Sequence, residues 1–258
     1  MLNPGLTSVT FRRFEAEKII DFCKCCGLSC IEWGGDIHIP PGKTKRAAEI
    51  RKKTEDAGLF VASYGSYYRS GAKGSTAGLF KSCLETAAAL GAPLIRLWSG
   101  DRGSAEADEK YFESICRETQ VLCDMAAEYN IDIAYEYHSY SLTDNAESVL
   151  KLYEKTDRKN FGTYFQYDPK ISIEENFSSL KKLLPILKAV HIFNIDEKEN
   201  RLSVAEENGI KIWSGLLEIL EGCGKSVPLM FEFLKNESLE GLKKETEIFN
   251  KISEREKI

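Results

Sequence analysis

The sequence predicts an α/β protein folded as a single (β/α)8 TIM barrel, one domain over residues 1–258. Three observations point to it. Eight short runs rich in β-branched and aromatic residues recur along the chain, separated by helical patterns. Gly-Leu or Gly-Ala stands before several of them, at Gly5-Leu6, Gly27-Leu28, Gly58-Leu59 and Gly91-Ala92, a repeated sequence of helix stop, tight turn and strand. The chain shows no linker, low-complexity tract or shift of composition, which suits eight βα units closed on themselves. A doubly wound open sheet is the alternative, but no Gly-x-Gly-x-x-Gly follows an early strand, so a dinucleotide site lacks support.

The first strand is read at 5–11 (GLTSVTF). Phe14, Ile19, Ile20 and Cys23 then fall on one side of a helix, before the second strand at 28–33 (LSCIEW) and the third at 59–65 (LFVASYG). In STAGLFKSCLETAAALG, Leu79, Cys83, Ala87 and Leu90 keep helical spacing up to Gly91. The fourth strand (93–98, PLIRLW) precedes the helical KYFESICRETQVLCDMAAEYN. The fifth, IDIAYEYH at 131–138, shows the clearest period of two, with Ile131, Ile133, Tyr135 and Tyr137 alternating with Asp132, Ala134, Glu136 and His138. After the sixth strand (161–168), Pro185 kinks or ends the helix NFSSLKKLLPIL. Strands at 187–193 and 227–233 complete the ring, and ESLEGLKKETEIFNKISEREKI reads as a closing helix.

Composition sets the broad class. With 43% hydrophobic and 29% charged residues the chain can fill a sizeable core. A formal charge of −5 without any Lys/Arg-rich run argues against a nucleic-acid partner. No apolar run reaches signal-peptide or membrane-spanning length, so a cytoplasmic protein with no membrane partner is expected. The eight cysteines are then expected as thiols. Cys23, Cys25, Cys26 and Cys30 cluster without the second pair a zinc site needs, and read as small core residues.

In a barrel, one parity of each strand faces the lumen and the other the helices. The polar parity gives Thr10 and Arg12, Glu32, Ser63 and Gly65, Arg96, Glu136 and His138, Gln166 and Asp168, His191, and Glu232. Nearly all lie late in their strands, at the mouth where barrel enzymes keep their active sites. A buried carboxylate must be paired or ligate a cation. Glu136, His191 and Glu232 are therefore candidates to share one. An imidazole with carboxylate or amide oxygens suits Mn²⁺, Mg²⁺ or Co²⁺, with Zn²⁺ also compatible. Glu32 and Arg96 read equally well as a lumen ion pair or as substrate contacts, and Gln166 as a ligand or a satisfied core amide. The only three histidines, His38, His138 and His191, all stand at or just past strand ends.

GLSCIEWGGDIHIPPG, PLIRLWSGDRG, IAYEYHSYSLTDNAESVLKLYE and the VHIFNID and MFEF segments together resemble the sugar isomerase/epimerase superfamily with the xylose isomerase-like barrel, over essentially the whole chain. The resemblance implies a divalent metal held by Glu, Asp, His and Glu of strands five to eight, carried over to Glu136, Gln166, His191 and Glu232. Gln166 departs from the Asp of that pattern, Asp168 shares its parity, and Pro169 stands where the pattern has His. The implied activity is isomerisation or epimerisation of a sugar or sugar phosphate, by proton abstraction next to a carbonyl through an enediolate. Glu136 and Glu232 would be the acid/base pair. His38, His138, Arg96 and Arg201 would hold hydroxyls or a phosphate, Trp33, Trp98 and Phe193 would form apolar walls, and Glu32 and Asp168 complete the substrate set. The alternatives are a polyol dehydratase resembling inosose dehydratase, or a degenerate barrel binding a sugar as a sensor. Phosphodiester cleavage needs more ligands than three histidines allow, and a basic face. The expected partners are a small carbohydrate and, in a homo-oligomer, further copies of the chain.

Overall fold

Each of the first five helices ends on a left-handed residue that turns the chain into the next strand. In the structure, a computed structural model describing residues 3–224 and 226–255, Gly27, Gly58, Gly91, Asn130 and Asp157 take positive φ at these places. The ends of the expected domain, residues 1–2 and 256–258 with the tip of the closing helix, lie outside the described residues, as does Lys225. The elements run β1 (Asn3–Thr7), α1 (Ala16–Cys25), β2 (Cys30–Gly34), α2 (Thr44–Asp56), β3 (Phe60–Ser70), α3 (Ala77–Leu90), β4 (Leu94–Ser99) and α4 (Glu109–Ala127). They continue with β5 (Asp132–Glu136), α5 (Ala146–Thr156), β6 (Phe161–Phe165), α6 (Ile173–Leu183), β7 (Leu187–Ile192), β8 (Asn194–Ile195), β9 (Arg201–Leu202), α7 (Glu207–Gly222), β10 (Pro228–Phe231) and α8 (Leu239–Ser253). Side-chain caps start several helices: Thr76, Asp108, Asn145 and Ser238 each accept from a backbone N–H of the first turn, and Ser172 forms a capping box with Glu175. Pro185 ends α6.

Eight parallel strands close into a barrel in the order β1-β10-β7-β6-β5-β4-β3-β2, as the sequence predicts. Two apolar layers hold it. The larger fills the space between strands and helices, where Trp33, Tyr64, Tyr135, Phe165 and Phe231 are fully enclosed. The smaller plugs the lumen with Cys30, Ala62, Leu94, Ala134, Tyr164, Ala189 and Met230. Room for the plug comes partly from Gly5, where a Cβ would fall 2.3 Å from Cys30 Sγ. Because apolar side chains close the lower lumen, polar groups on the same parity are displaced to the carboxyl ends of the strands.

Three expectations need correction. The first strand stops at Thr7, and Ser8–Phe11 forms a 3-10 turn in which the Thr7 and Thr10 hydroxyls donate to the Phe231 carbonyl. Thr10 and Arg12 therefore do not continue a strand, and Arg12 lies at the surface, donating to Asp36 at 2.5 Å. The third strand runs on to Ser70 through a register shift between Gly65 and Arg69. Leu79 is 37% exposed, and Phe80 takes its expected place in the core. The eight cysteines form no disulfide. Among the described residues no helix is long and apolar enough to cross a membrane.

Candidate functional site

Five strands deliver ionisable side chains to one level of the lumen. Glu32 of β2, Arg96 of β4, Glu136 at the end of β5, His191 of β7 and Glu232 just past β10 are each at most 4% exposed. Arg96 joins two of the acids, donating through Nη1 to Glu136 Oε2 and through Nε to Glu32 Oε1 at 3.3 Å. Glu32 Oε2 accepts from Ser63 Oγ at 2.7 Å and from the Tyr164 hydroxyl at 2.8 Å. Trp98 Nε1 donates to Glu136 Oε2. His191 lies among all three carboxylates, with Nε2 3.5 Å from Glu32 and Nδ1 3.6 Å from Glu136 and 3.3 Å from Glu232. Neither ring nitrogen makes an aligned hydrogen bond.

Gly65 lets the lumen pair fit. A Cβ there would lie 2.9 Å from Glu32 Oε1 and 3.0 Å from Arg96 Nη2. Both side chains are pinned by other partners and cannot give way. Gly65→Ala should therefore cost about 1–3 kcal/mol of stability by overpacking, read from chemical denaturation. An unchanged midpoint would show that the pair is looser than its hydrogen bonds indicate.

The charges pull the acids apart. Burial raises the pKa of Glu32, but Arg96, His191 and Ser63 outweigh it and bring it down to about 2. Glu136 is likewise held well below the usual carboxylate range, mainly by Arg96 against burial. Glu232 moves the other way: burial, with the Glu136 and Glu32 carboxylates, raises it against the pull of His191 and Arg96. Burial lowers His191, yet Glu232, Glu136 and Glu32 together lift it to about 10.

These residues fit a divalent cation. One ligand atom from each of Glu136, His191 and Glu232 lies within 4.8 Å of the others, and no other such group of His, Cys, Asp and Glu occurs among the described residues. The buried Nδ1 of His191, on the side of Glu136 and Glu232, lacks a hydrogen-bond partner, as a ligand nitrogen would without its ion. Three carboxylates face one guanidinium, and a doubly charged ion would balance the remainder with the imidazole neutral. Its raised pKa leaves His191 protonated at neutral pH without metal, a proton that a bound cation would have to displace. The raised pKa stabilises the metal-free fold below the unfolded value near 6.5, a contribution lost as pH rises through about 10. Below that pH, apparent metal affinity should rise roughly tenfold per unit for a single displaced proton. Calorimetric Mn²⁺ titrations in buffers of different ionisation enthalpy should count about one proton released. Heats independent of the buffer would contradict the arrangement.

Above this layer opens a cavity of about 430 Å³. Glu136, His138, Gln166, Asp168, Phe193 and Arg201 line it, so six of the candidates from the sequence share one chamber. Gln166 is 9% exposed and its side chain makes no hydrogen bond among the described residues. Asp168 closes a turn by accepting from the Lys170 N–H at 2.9 Å. His138 Nδ1 contacts the Ser139 carbonyl at 2.6 Å, and Arg201 pairs with Glu237 and lies over the Phe233 ring. Trp98 packs beside the chamber, 6.2 Å from the His138 ring. His38 and Trp33 are placed apart from it: Trp33 is enclosed between barrel and helices, and His38, 1% exposed, contacts the Phe14 carbonyl at 3.1 Å.

Sequence reasoning missed Tyr164, which anchors Glu32. Its signal was available, since Tyr164 precedes Gln166 by two residues and must share its face. It also missed the hairpin β8–β9, which carries Arg201, and the rim residues Lys170 and Tyr140, whose ammonium and ring lie 4.7 Å apart.

Comparison with known proteins agrees with this architecture. The sequence pattern of the family described as xylose isomerase-like TIM barrel matches residues 20–252. A 3-dehydroshikimate dehydratase of Bacillus anthracis is 26% identical over 125 residues, which are 47% of this chain and 43% of that protein. The chain thus spans less than half the length of that curated relative. Among solved structures, a probable 3-DHS dehydratase from Bacillus anthracis superposes with a TM-score of 0.76 at 18% identity, covering 97% of this chain and 99% of that one. For a 3-keto-D-glucoside 4-epimerase from E. coli the values are 0.75 and 14%, with 98% and 99% covered. At such identities the two structures establish the shared fold.

Proposed function

The chain belongs to the xylose isomerase-like TIM barrel family, and from that premise we propose that it is a divalent-metal-dependent isomerase or epimerase. Its substrate is a small carbohydrate, free or phosphorylated, and its chemistry moves a proton on the carbon next to a carbonyl. The observation that carries this reading is the buried cluster of Glu136, His191 and Glu232, which meets a cavity of sugar-binding size through Glu136. Glu136, Gln166, His191 and Glu232 would hold the metal. When bound, Mn²⁺, Mg²⁺, Co²⁺ or Zn²⁺ supplies electrostatic stabilisation of the negative charge that reaches the carbonyl oxygen.

The protein groups divide the remaining work. Glu136 Oε2 is committed to Arg96 and Trp98, which fixes the carboxylate and keeps it ionised. Glu232, with its raised pKa, is the better carrier of a proton at neutral pH. It removes the proton from carbon. Return by the same carboxyl to the neighbouring carbon, with the hydroxyl proton passing between the two oxygens, gives isomerisation. For epimerisation Glu136, ionised at rest, relays a proton taken from solvent to the opposite face of the same carbon while Glu232 keeps the one it removed. Trp98 and Phe193 offer apolar faces to the C–H surface of a sugar, while His138, Asp168 and Arg201 at the rim bind hydroxyls or a phosphate.

A second reading, dehydration, shares the first step and then expels a hydroxyl from the next carbon. The sequence likeness to a 3-dehydroshikimate dehydratase favours it. One experiment separates the outcomes. Incubated with Mn²⁺ and a panel of ketoses, sugar phosphates and cyclic hydroxyketones in heavy water, the protein should place deuterium next to the carbonyl of one of them. Exchange with the hydroxyls intact identifies an isomerase or epimerase, and loss of water a dehydratase. No exchange in any compound would overturn both.

A further inference from the structure

The two nitrogens of the His191 ring face unlike surroundings, and from that difference we infer that Glu32 is the positioning residue that selects the His191 tautomer. Once metal binding has made the ring neutral, Glu32 would hold the remaining proton on Nε2 and leave the Nδ1 lone pair toward Glu136 and Glu232. This inference rests on the metal-dependent reading above and deepens it.

Three donors anchor Glu32. Ser63 of β3 and Tyr164 of β6 donate to Oε2 at 2.7 and 2.8 Å, and Arg96 of β4 donates to Oε1 at 3.3 Å. A carboxylate accepts about four hydrogen bonds, so roughly one position is left, on Oε1. That oxygen stands 3.5 Å from His191 Nε2, close but not aligned as a hydrogen bond in the metal-free protein. Tied to three strands, Glu32 cannot turn up into the cavity, and it lies outside the cluster whose atoms approach within 4.8 Å. Its remaining capacity is to accept one N–H.

The Nδ1 side differs. The Glu232 carboxylate, 3.3 Å away, accepts no hydrogen bond among the described residues, and Glu136 keeps its donors on Oε2, so Oε1 is bare toward the ring. Lone pairs collect there. A neutral imidazole carries one N–H. On Nε2 it fills the last position of Glu32. On Nδ1 it would set the Nε2 lone pair against the Glu32 carboxylate and withdraw the nitrogen from the two ligand acids. The Tyr164 ring, 5.1 Å from His191, limits rotation between these arrangements. With a metal bound, this would be a carboxylate–imidazole–metal relay whose outer carboxylate comes from β2, a strand not adjacent to β7 in the ring.

Two measurements test this without reference to turnover. In protein loaded with diamagnetic Zn²⁺ and labelled with ¹⁵N-histidine, long-range proton–nitrogen spectra of the three imidazoles report the tautomer directly. The expected result is an N–H on Nε2 of His191, and an N–H on Nδ1 overturns the inference. In Glu32→Gln, Mn²⁺ affinity should fall roughly 10- to 100-fold, the usual effect of removing such an outer partner. An affinity unchanged in the folded variant also overturns it. If the substitution prevents folding, the spectrum of the unaltered protein decides alone. Failure of the unaltered protein to bind any divalent ion defeats the metal-dependent reading and this inference with it. Metal binding with the wrong tautomer, or indifference to Glu32→Gln, defeats this inference only.

Discussion

Glu232→Gln is expected to lower proton exchange roughly 10²- to 10⁴-fold, the range for loss of a general acid/base, while leaving the metal-free protein as stable as before or more so. Both halves follow from the same placement. Glu232 is buried beside two other carboxylates, and its pKa is raised because the ionised form is costly there. An isosteric amide removes that repulsion and also removes the group that carries the proton. Glu136→Gln should behave differently. Glu136 is held low by Arg96 and accepts from Trp98, so losing its charge costs both exchange and stability. Exchange rates in heavy water, with thermal midpoints of the metal-free proteins, separate the two variants. Unchanged exchange in Glu232→Gln would remove it from the acid/base role.

Arg96→Met should produce the largest loss of stability, about 3–5 kcal/mol, as expected when one partner of a buried ion pair is deleted. Arg96 is 2% exposed and serves two carboxylates, so its removal strands Glu32 and Glu136 together. The pH dependence supplies an independent check. In the native protein Glu32 has its pKa depressed to about 2 from an ordinary 4.5. Its stabilising contribution is therefore present above 4.5 and disappears as pH falls toward 2. Without Arg96 the same carboxylates become a burden that protonation relieves, so the gap between variant and native protein should narrow on acidification. Urea denaturation at neutral and acid pH measures both. A loss below about 1 kcal/mol, within the range of ordinary substitutions, would mean that the lumen acids do not depend on Arg96.

Much of this architecture was legible in the sequence because a period of two survives in the later strands. IDIAYEYH states its parity openly, and the same alternation sets His191 and Glu232 facing inward. Parity carried from strand to strand therefore predicts that Glu136, His191 and Glu232 converge, and their ligand atoms do approach within 4.8 Å. What failed had no periodic signal or a misleading one. GLTSVTF alternates like a strand, yet its second half turns because Thr7 and Thr10 find the Phe231 carbonyl, a contact 221 or more residues away in the chain. The β8–β9 hairpin has strands of two residues each, too short for any pattern, so the sequence offers Arg201 as a binding residue without the element that carries it to the cavity. Trp33 and His38 fail for different reasons. Trp33 adjoins the inward-facing Glu32 in β2, so strand parity itself turns it toward the helices, whereas His38 lies in a loop whose course spacing does not fix; both side chains pack behind the barrel wall.

The central claim is that acids and an imidazole from three strands surround a single ion. Crystals grown with Mn²⁺ and measured for anomalous scattering would test it most directly. One strong peak bounded by Glu136, His191 and Glu232, within bonding distance of all three, is the predicted result. A peak bound elsewhere, or none at that position despite saturating Mn²⁺, would contradict the account.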